Sequence, residues 1–175
     1  MYYMLKRLGL VKKWINWIKG CMESSSVSIL INGSPTKEFS PSRGLRQGDP
    51  LAPFFFLIVV EGLAGLVRRV VSLNRLHRLL IEANHVVVTL FQFANDTLVV
   101  CQASHQDVMT VKTILRYFEL ASGLKMNFHK SKIGAVGVKR QHLLVFVDVL
   151  NCAHMSVSFK YLGLQVGGNP RKREF

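Results

Sequence analysis

The chain has 175 residues, 49% of them hydrophobic, which is long enough for one domain with a real core and too apolar for a disordered segment. Its 23 Lys and Arg against 10 Asp and Glu leave a formal charge of +13, which points to a polyanionic partner, most simply nucleic acid. Cys21, Cys101 and Cys152 are few, odd in number and far apart, which argues against a disulfide frame or a zinc site and suits free thiols in a reducing, intracellular compartment.

In chain order, Met1 to Leu10 carries Lys6 and Arg7 inside its apolar pattern and is no secretory leader. Leu8, Val11, Ile15, Ile18 and Met22 recur at helical spacing with Lys12, Lys13, Asn16 and Lys19 opposite, so one helix is expected here, with Trp14 and Ile18 on its buried face. Ser24 to Ser26 end it. Val27, Ile29 and Ile31 then alternate with Ser28 and Leu30 up to Asn32-Gly33, a strong hairpin signal, with Thr36 to Phe39 as the return strand. Asp49-Pro50 predicts a helix start, followed by an apolar helix to about Ser72. The longest apolar run, Leu51 to Val60, contains Pro53 and is closed by Glu61, too short to span a bilayer, so no membrane partner is expected. Asn74 to Asn84 reads as a basic connector.

The stretch Val86 to Val100 is an apolar run interrupted by Ala94, Asn95 and Asp96. It reads as strand, tight turn, strand, with Asn-Asp tolerating the positive φ of a short turn. Beyond it, Ser104 to Asp107 resembles a capping box, Val108, Val111, Leu115 and Phe118 mark a helix face, and Gly123 supplies the stop. Leu124 to Val138 reads as a strand with a basic border, Lys139 to Leu150 as a helix, and Phe159 to Val166 as a last strand before a basic end. One α+β domain accounts for this order.

Four segments then align with one family. GLRQGDPLAP (Gly44 to Pro53), FAND (Phe93 to Asp96), SGLKMNFHKSK (Ser122 to Lys132) and KYLGLQVGG (Lys160 to Gly168) resemble consecutive motifs of reverse transcriptases, above all those of plant LINE-type, non-LTR retrotransposons, in order and in spacing, over essentially the whole chain. The resemblance implies an α+β polymerase palm, an antiparallel sheet backed by helices with an aromatic-x-Asp-Asp hairpin at its centre. It also implies RNA-templated DNA synthesis, with an RNA template, a DNA primer and a deoxynucleoside triphosphate as partners. The cofactor implied is Mg²⁺, because two hard cations held a few Å apart need anionic oxygens. Residue by residue, it assigns Asp96 and Asn95 to catalysis, with Asp96 as metal ligand, and Lys130 to the leaving pyrophosphate. Arg46, Gln47, Gly48, Asp49, Phe93 and Ala94 fall where the family shapes the nucleotide and template pocket. Tyr161, Leu162 and Gly163 fall where it grips the primer end.

Two departures from the family pattern lead to a further expectation. Asn95 stands where the family has the first Asp of its pair, which removes a charge from the metal site. The Asp-bearing strand that should precede the first helix has no counterpart among these residues, nor do the fingers and the thumb. The expected function is therefore that of a partial reverse-transcriptase palm covering residues 1–175, defective in synthesis, a pseudoenzyme with weak Mg²⁺ binding. Two alternatives stand beside it: a non-catalytic basic module that binds RNA or an RNA·DNA hybrid, and a fragment that self-associates through an exposed strand edge. Arg171-Lys172-Arg173 is too short a run to decide between nucleus and cytoplasm.

Overall fold

The computed structural model describes residues 2–41, 48–81 and 86–167, without the side chains of 80–87. The chain divides into two units, residues 1–62 and 63–175.

In the first unit, α1 (Tyr2–Arg7) and α2 (Lys12–Glu23) replace the single helix that the periodicity predicts. The break is a Schellman motif: Gly9, at φ 83°, donates its N–H to the Lys6 carbonyl while Leu10 donates to Leu5. An apolar repeat that runs straight through Gly9 hides this stop. Leu8 and Val11 consequently fall at the break and are exposed, and Trp14 is 55% exposed instead of buried. The expectation holds for the other side of α2. Ile15, Ile18 and Met22 pack with Met4, Leu10 and Leu51 around Leu5, Phe55 and Ile58. Leu5 is fully buried, and truncating such a side chain costs about 2–5 kcal/mol.

The hairpin β1 (Leu30–Ile31) and β2 (Ser34–Pro35) turns at Asn32 (φ 50°) and Gly33 (φ 83°), the type I′ geometry that Asn-Gly favours. Thr36 extends the pairing to Ile29 through both its N–H and its hydroxyl, and a bridge joins Val27 to Phe39. α3 (Ala52–Ser72) begins just after the Asp-Pro pair, because the Asp49 carboxylate takes the Leu51 N–H at 2.8 Å and its carbonyl takes that of Ala52. This helix runs from the first unit into the second and ends in another Schellman motif, with Asn74 at φ 57°.

The second unit holds the remaining elements. β3 (Leu79–Ile81) forms where the sequence suggests only a connector and pairs antiparallel with β4 (Val86–Val88), so the single strand expected from Val86 to Phe93 is divided at Thr89 into β4 and a second strand. β5 (Leu90–Phe93) and β6 (Asp96–Val99) form the expected central hairpin. α4 (His105–Ser122) starts at the Ser104 cap and stops at Gly123, as expected. Asp107 is completely buried and takes hydrogen bonds from the Ser104 hydroxyl (2.5 Å) and the His77 N–H (2.8 Å), with the His77 Nδ1 at 3.1 Å. It thereby ties the chain at His77 to the start of α4.

Only β7 (Lys132–Ile133) of the strand expected over 124–138 forms. Before it, the Glu119 carboxylate captures the Met126 N–H and turns the chain. α5 (Arg140–Leu150) then carries the chain across to β8 (Ala153–His154), which lies parallel to β7. At Gly134 a Cβ would stand 2.9 Å from the Met155 carbonyl oxygen, so the backbones meet there without room for a side chain. Val108, Leu143 and Phe146 form the core between α4 and α5, closed by Ile133, Val138, Val149 and Leu150. β9 (Phe159–Tyr161) and β10 (Leu164–Val166) form a hairpin, not the single strand expected over 159–166.

The described residues are thus α+β, but their strands pair as five two-stranded pieces, four antiparallel and one parallel, instead of one antiparallel palm sheet. Each strand is short and, among the described residues, is paired along one edge only. No described helix is long and apolar enough to cross a membrane.

Candidate active site

The β5–β6 hairpin has a two-residue turn, with Phe93 opposite Asp96. Positive φ falls on Ala94 (45°), not on the Asn-Asp pair expected to carry it, and Asp96 is the first residue of the return strand. Gln92 braces the turn from one strand back. Its amide donates to the Ala94 carbonyl at 2.8 Å, and its amide oxygen accepts from the Thr97 hydroxyl, also at 2.8 Å. Sequence reasoning missed this clamp; its signal was a lone polar residue between Phe91 and Phe93. Phe93, Ala94, Asn95 and Asp96 are all exposed. Among the described residues no cation pairs with the Asp96 carboxylate.

The β9–β10 hairpin meets this one within the second unit. The Tyr161 hydroxyl lies 3.4 Å from the Asp96 carbonyl oxygen across 65 residues of sequence, and the Tyr161 and Phe91 ring centroids are 6.5 Å apart. Its turn is Leu162 (φ 52°) and Gly163 (φ 82°). Positive φ is costly for a residue with a Cβ, and Asn escapes part of the cost through local hydrogen bonding. Of the five described non-glycine residues in that region, three are Asn. The other two are Ala94 and Leu162, one in each of the turns that the family resemblance marks. Strain of this kind collects at functional sites.

Within the second unit, Lys130 does not join this pair. Lys130 sits in an exposed turn held by Asn127 and makes no ion pair with Asp96. Asp49 caps α3, beside an exposed Gly48 at φ 87°, and both belong to the first unit. Arg46 and Gln47 lie outside the described residues. Among the described residues, no three His, Cys, Asp or Glu side chains converge as a metal site needs. Asp96 with the neutral Asn95 supplies a single carboxylate and does not by itself fit two Mg²⁺ ions.

Two turn-tipped hairpins in contact, one presenting a solvent-open carboxylate and the other a tyrosine, bring the FAND and KYLG segments together within the second unit of a strongly basic α+β chain. Comparison with known families agrees: residues 3–166 match the family described as reverse transcriptase (RNA-dependent DNA polymerase), and the chain belongs to it. The chain is 44% identical over 68 residues, 39% of its length, to an uncharacterized mitochondrial protein of Arabidopsis thaliana. It is 29% identical over 171 residues, 91% of the chain, to a retrovirus-related Pol polyprotein from a type-1 retrotransposable element R2 of Popillia japonica. Against a retrovirus-related Pol polyprotein from a type-2 retrotransposable element of Drosophila melanogaster it is 24% identical, over 81% of the chain. The chain spans 56%, 23% and 12% of these three relatives.

Proposed function

We propose that residues 1–175 are part of a reverse-transcriptase palm of LINE-type retrotransposon origin, and that this chain does not itself sustain RNA-templated DNA synthesis. What supports the first half is the meeting of Tyr161 with the Asp96 backbone, because it joins a primer-side motif to the catalytic hairpin across 65 residues. In that reading Asp96 is the metal ligand, Phe93 and Ala94 face the nucleotide, and Tyr161, Leu162 and Gly163 hold the primer end. Arg46, Gln47, Gly48 and Asp49 shape the template and nucleotide pocket, and Lys130 serves the leaving pyrophosphate. The second half follows from Asn95. A neutral amide oxygen replaces a carboxylate where affinity for Mg²⁺ follows ligand charge. If the lost transition-state stabilisation reaches about 4 kcal/mol, the rate falls roughly a thousandfold.

Primer extension on poly(rA)·oligo(dT) with Mg²⁺ or Mn²⁺ tests this directly, with no incorporation above background as the expected result. Incorporation that disappears in Asp96→Ala overturns the assignment of inactivity. Restoring the charge with Asn95→Asp is expected to tighten Mn²⁺ binding about tenfold, a change of ~1.4 kcal/mol, by titration.

A second reading is favoured by the formal charge of +13: a non-catalytic module that binds RNA or an RNA·DNA hybrid. Its affinity should fall steeply with salt as counterions are released, and a flat response removes it. A third is self-association, since β5 and β6 pair only with each other among the described residues. A monomer that persists through size exclusion at all concentrations removes that one.

A further inference from the structure

Both tryptophans of the chain lie on α2, three residues apart, and both are exposed, Trp14 at 55% and Trp17 at 51%. Trp17 lies across α2 from Ile15 and Met22, which pack with Ile18 into the core of the first unit, and Trp14, one turn before Ile18, flanks that buried stripe. The two rings meet edge to face with centroids 4.9 Å apart, so each fixes the orientation of the other. The Lys13 ammonium stands 4.9 Å from the centre of the Trp17 ring. Lys12 and Lys13 pair with no carboxylate among the described residues, whereas Lys19 is neutralised by Glu23 at 3.7 Å.

We propose that this face of α2 is a stacking platform for the unpaired bases of a single-stranded nucleic acid, with Trp17 and Trp14 taking bases and Lys13 taking a flanking phosphate. The proposal rests on the reading of the chain as a nucleic-acid binder and gives that reading a location. Aromatic rings interleaved with cations are what sequence-tolerant single-strand binding uses, because every base offers a π face and every linkage a negative charge. The lysine over Trp17 makes a weak, solvent-exposed cation–π contact, which is readily exchanged for a phosphate when a base takes the ring face. A helix with Ile15, Ile18 and Met22 anchored below keeps the rings in place before the strand arrives. The charge of +13 fits a polyanion better than a protein surface of mixed sign.

Fluorescence anisotropy of the full 175-residue chain with twelve-nucleotide oligo(rA), oligo(dA) and an abasic strand of equal length tests this. Trp17→Ala should weaken binding to both base-bearing strands about 5- to 150-fold and leave the abasic strand nearly unaffected. Trp17→Phe should restore most of the loss, which also separates stacking from any failure to fold. Lys13→Gln should reduce the slope of log affinity against log salt by about 0.7. Tryptophan emission should be quenched by oligo(rA) and not by the abasic strand. Equal affinities for the wild type and Trp17→Ala, or the same loss on the abasic strand, overturn the proposal. If binding remains steeply salt-dependent in that case, the nucleic-acid reading stands without this platform; if no strand binds in a salt-dependent way, both fall.

Discussion

The hydroxyl of Tyr161 reaches the backbone carbonyl of Asp96 at 3.4 Å while its ring lies beside that of Phe91. The hydrogen bond is long, so the half-buried ring contributes more to the interaction than the hydroxyl does. Tyr161→Phe should therefore leave stability within about 0.5 kcal/mol of the wild type. Tyr161→Ala should cost about 1–2 kcal/mol in urea unfolding and speed amide exchange over residues 159–166. A Phe variant as unstable as the Ala variant would transfer the role to the hydroxyl.

Leu162 holds φ 52° with 49% of its surface exposed, so it bears backbone strain with limited packing to offset it. Asn32 occupies the equivalent place in the β1–β2 turn at φ 50°. Leu162→Asn should stabilise the β9–β10 hairpin by roughly 0.5–1 kcal/mol, read from the urea midpoint. Loss of stability would show that the leucine side chain, not the turn, sets the local balance. If the strain serves primer binding, the same variant should weaken oligonucleotide binding while it stabilises the fold, the usual conflict between stability and function.

Local chemistry made much of this fold legible. Asn32-Gly33 names a type I′ turn, Ser104 with Asp107 names a cap, and Gly123 names a stop, each within a few residues of sequence. The failures were non-local or went against propensity. Lys132 and Ile133 become a strand only by lying parallel to Ala153 and His154 across α5, a pairing no local pattern announces. Leu162-Gly163 is not a turn sequence by composition, and Ala94 is not the residue expected at positive φ. An apolar repeat that continues past Gly9 masks the stop, and Trp14, one turn before Ile18, shares its helical spacing yet stays exposed at the border of the buried stripe. The same held for the site. Both marked hairpins were visible in the motifs, but the Tyr161–Asp96 contact and the Gln92 clamp exist only once the chain has folded.

Asp107 is the sharpest test of what holds the second unit together. It is fully buried, and the His77 N–H, the His77 ring and the Ser104 hydroxyl all converge on its two oxygens. Asp107→Ala removes that acceptor and strands the His77 N–H, at a cost of about 3–5 kcal/mol. His77→Ala keeps the backbone donor and removes a side chain already 37% exposed, so it should cost about 1 kcal/mol or less. Thermal unfolding of both variants checks the order, and a mild Asp107→Ala would mean that α4 does not depend on this junction.

The thiols supply a test in pH. Burial, with the Asp107 carboxylate nearby as the lesser cause, pushes the Cys101 thiol from 9.0 up to about 11, and burial also raises that of Cys152. All three cysteines are free, and Cys21 is exposed. Only the thiolate attacks a disulfide reagent, and at pH 8 on the order of one Cys101 in a thousand is ionised. Labelling of the native chain should thus be fast at Cys21 and slow at Cys101 and Cys152, with all three equally fast in denaturant. The sign for stability follows from the same shift. Between pH 9 and pH 11 the unfolded chain loses the Cys101 proton while the folded chain keeps it. The unfolded state then binds fewer protons, and stability falls as pH rises through that window. Cys101→Ala should flatten that decline in urea midpoints measured from pH 8 to pH 11.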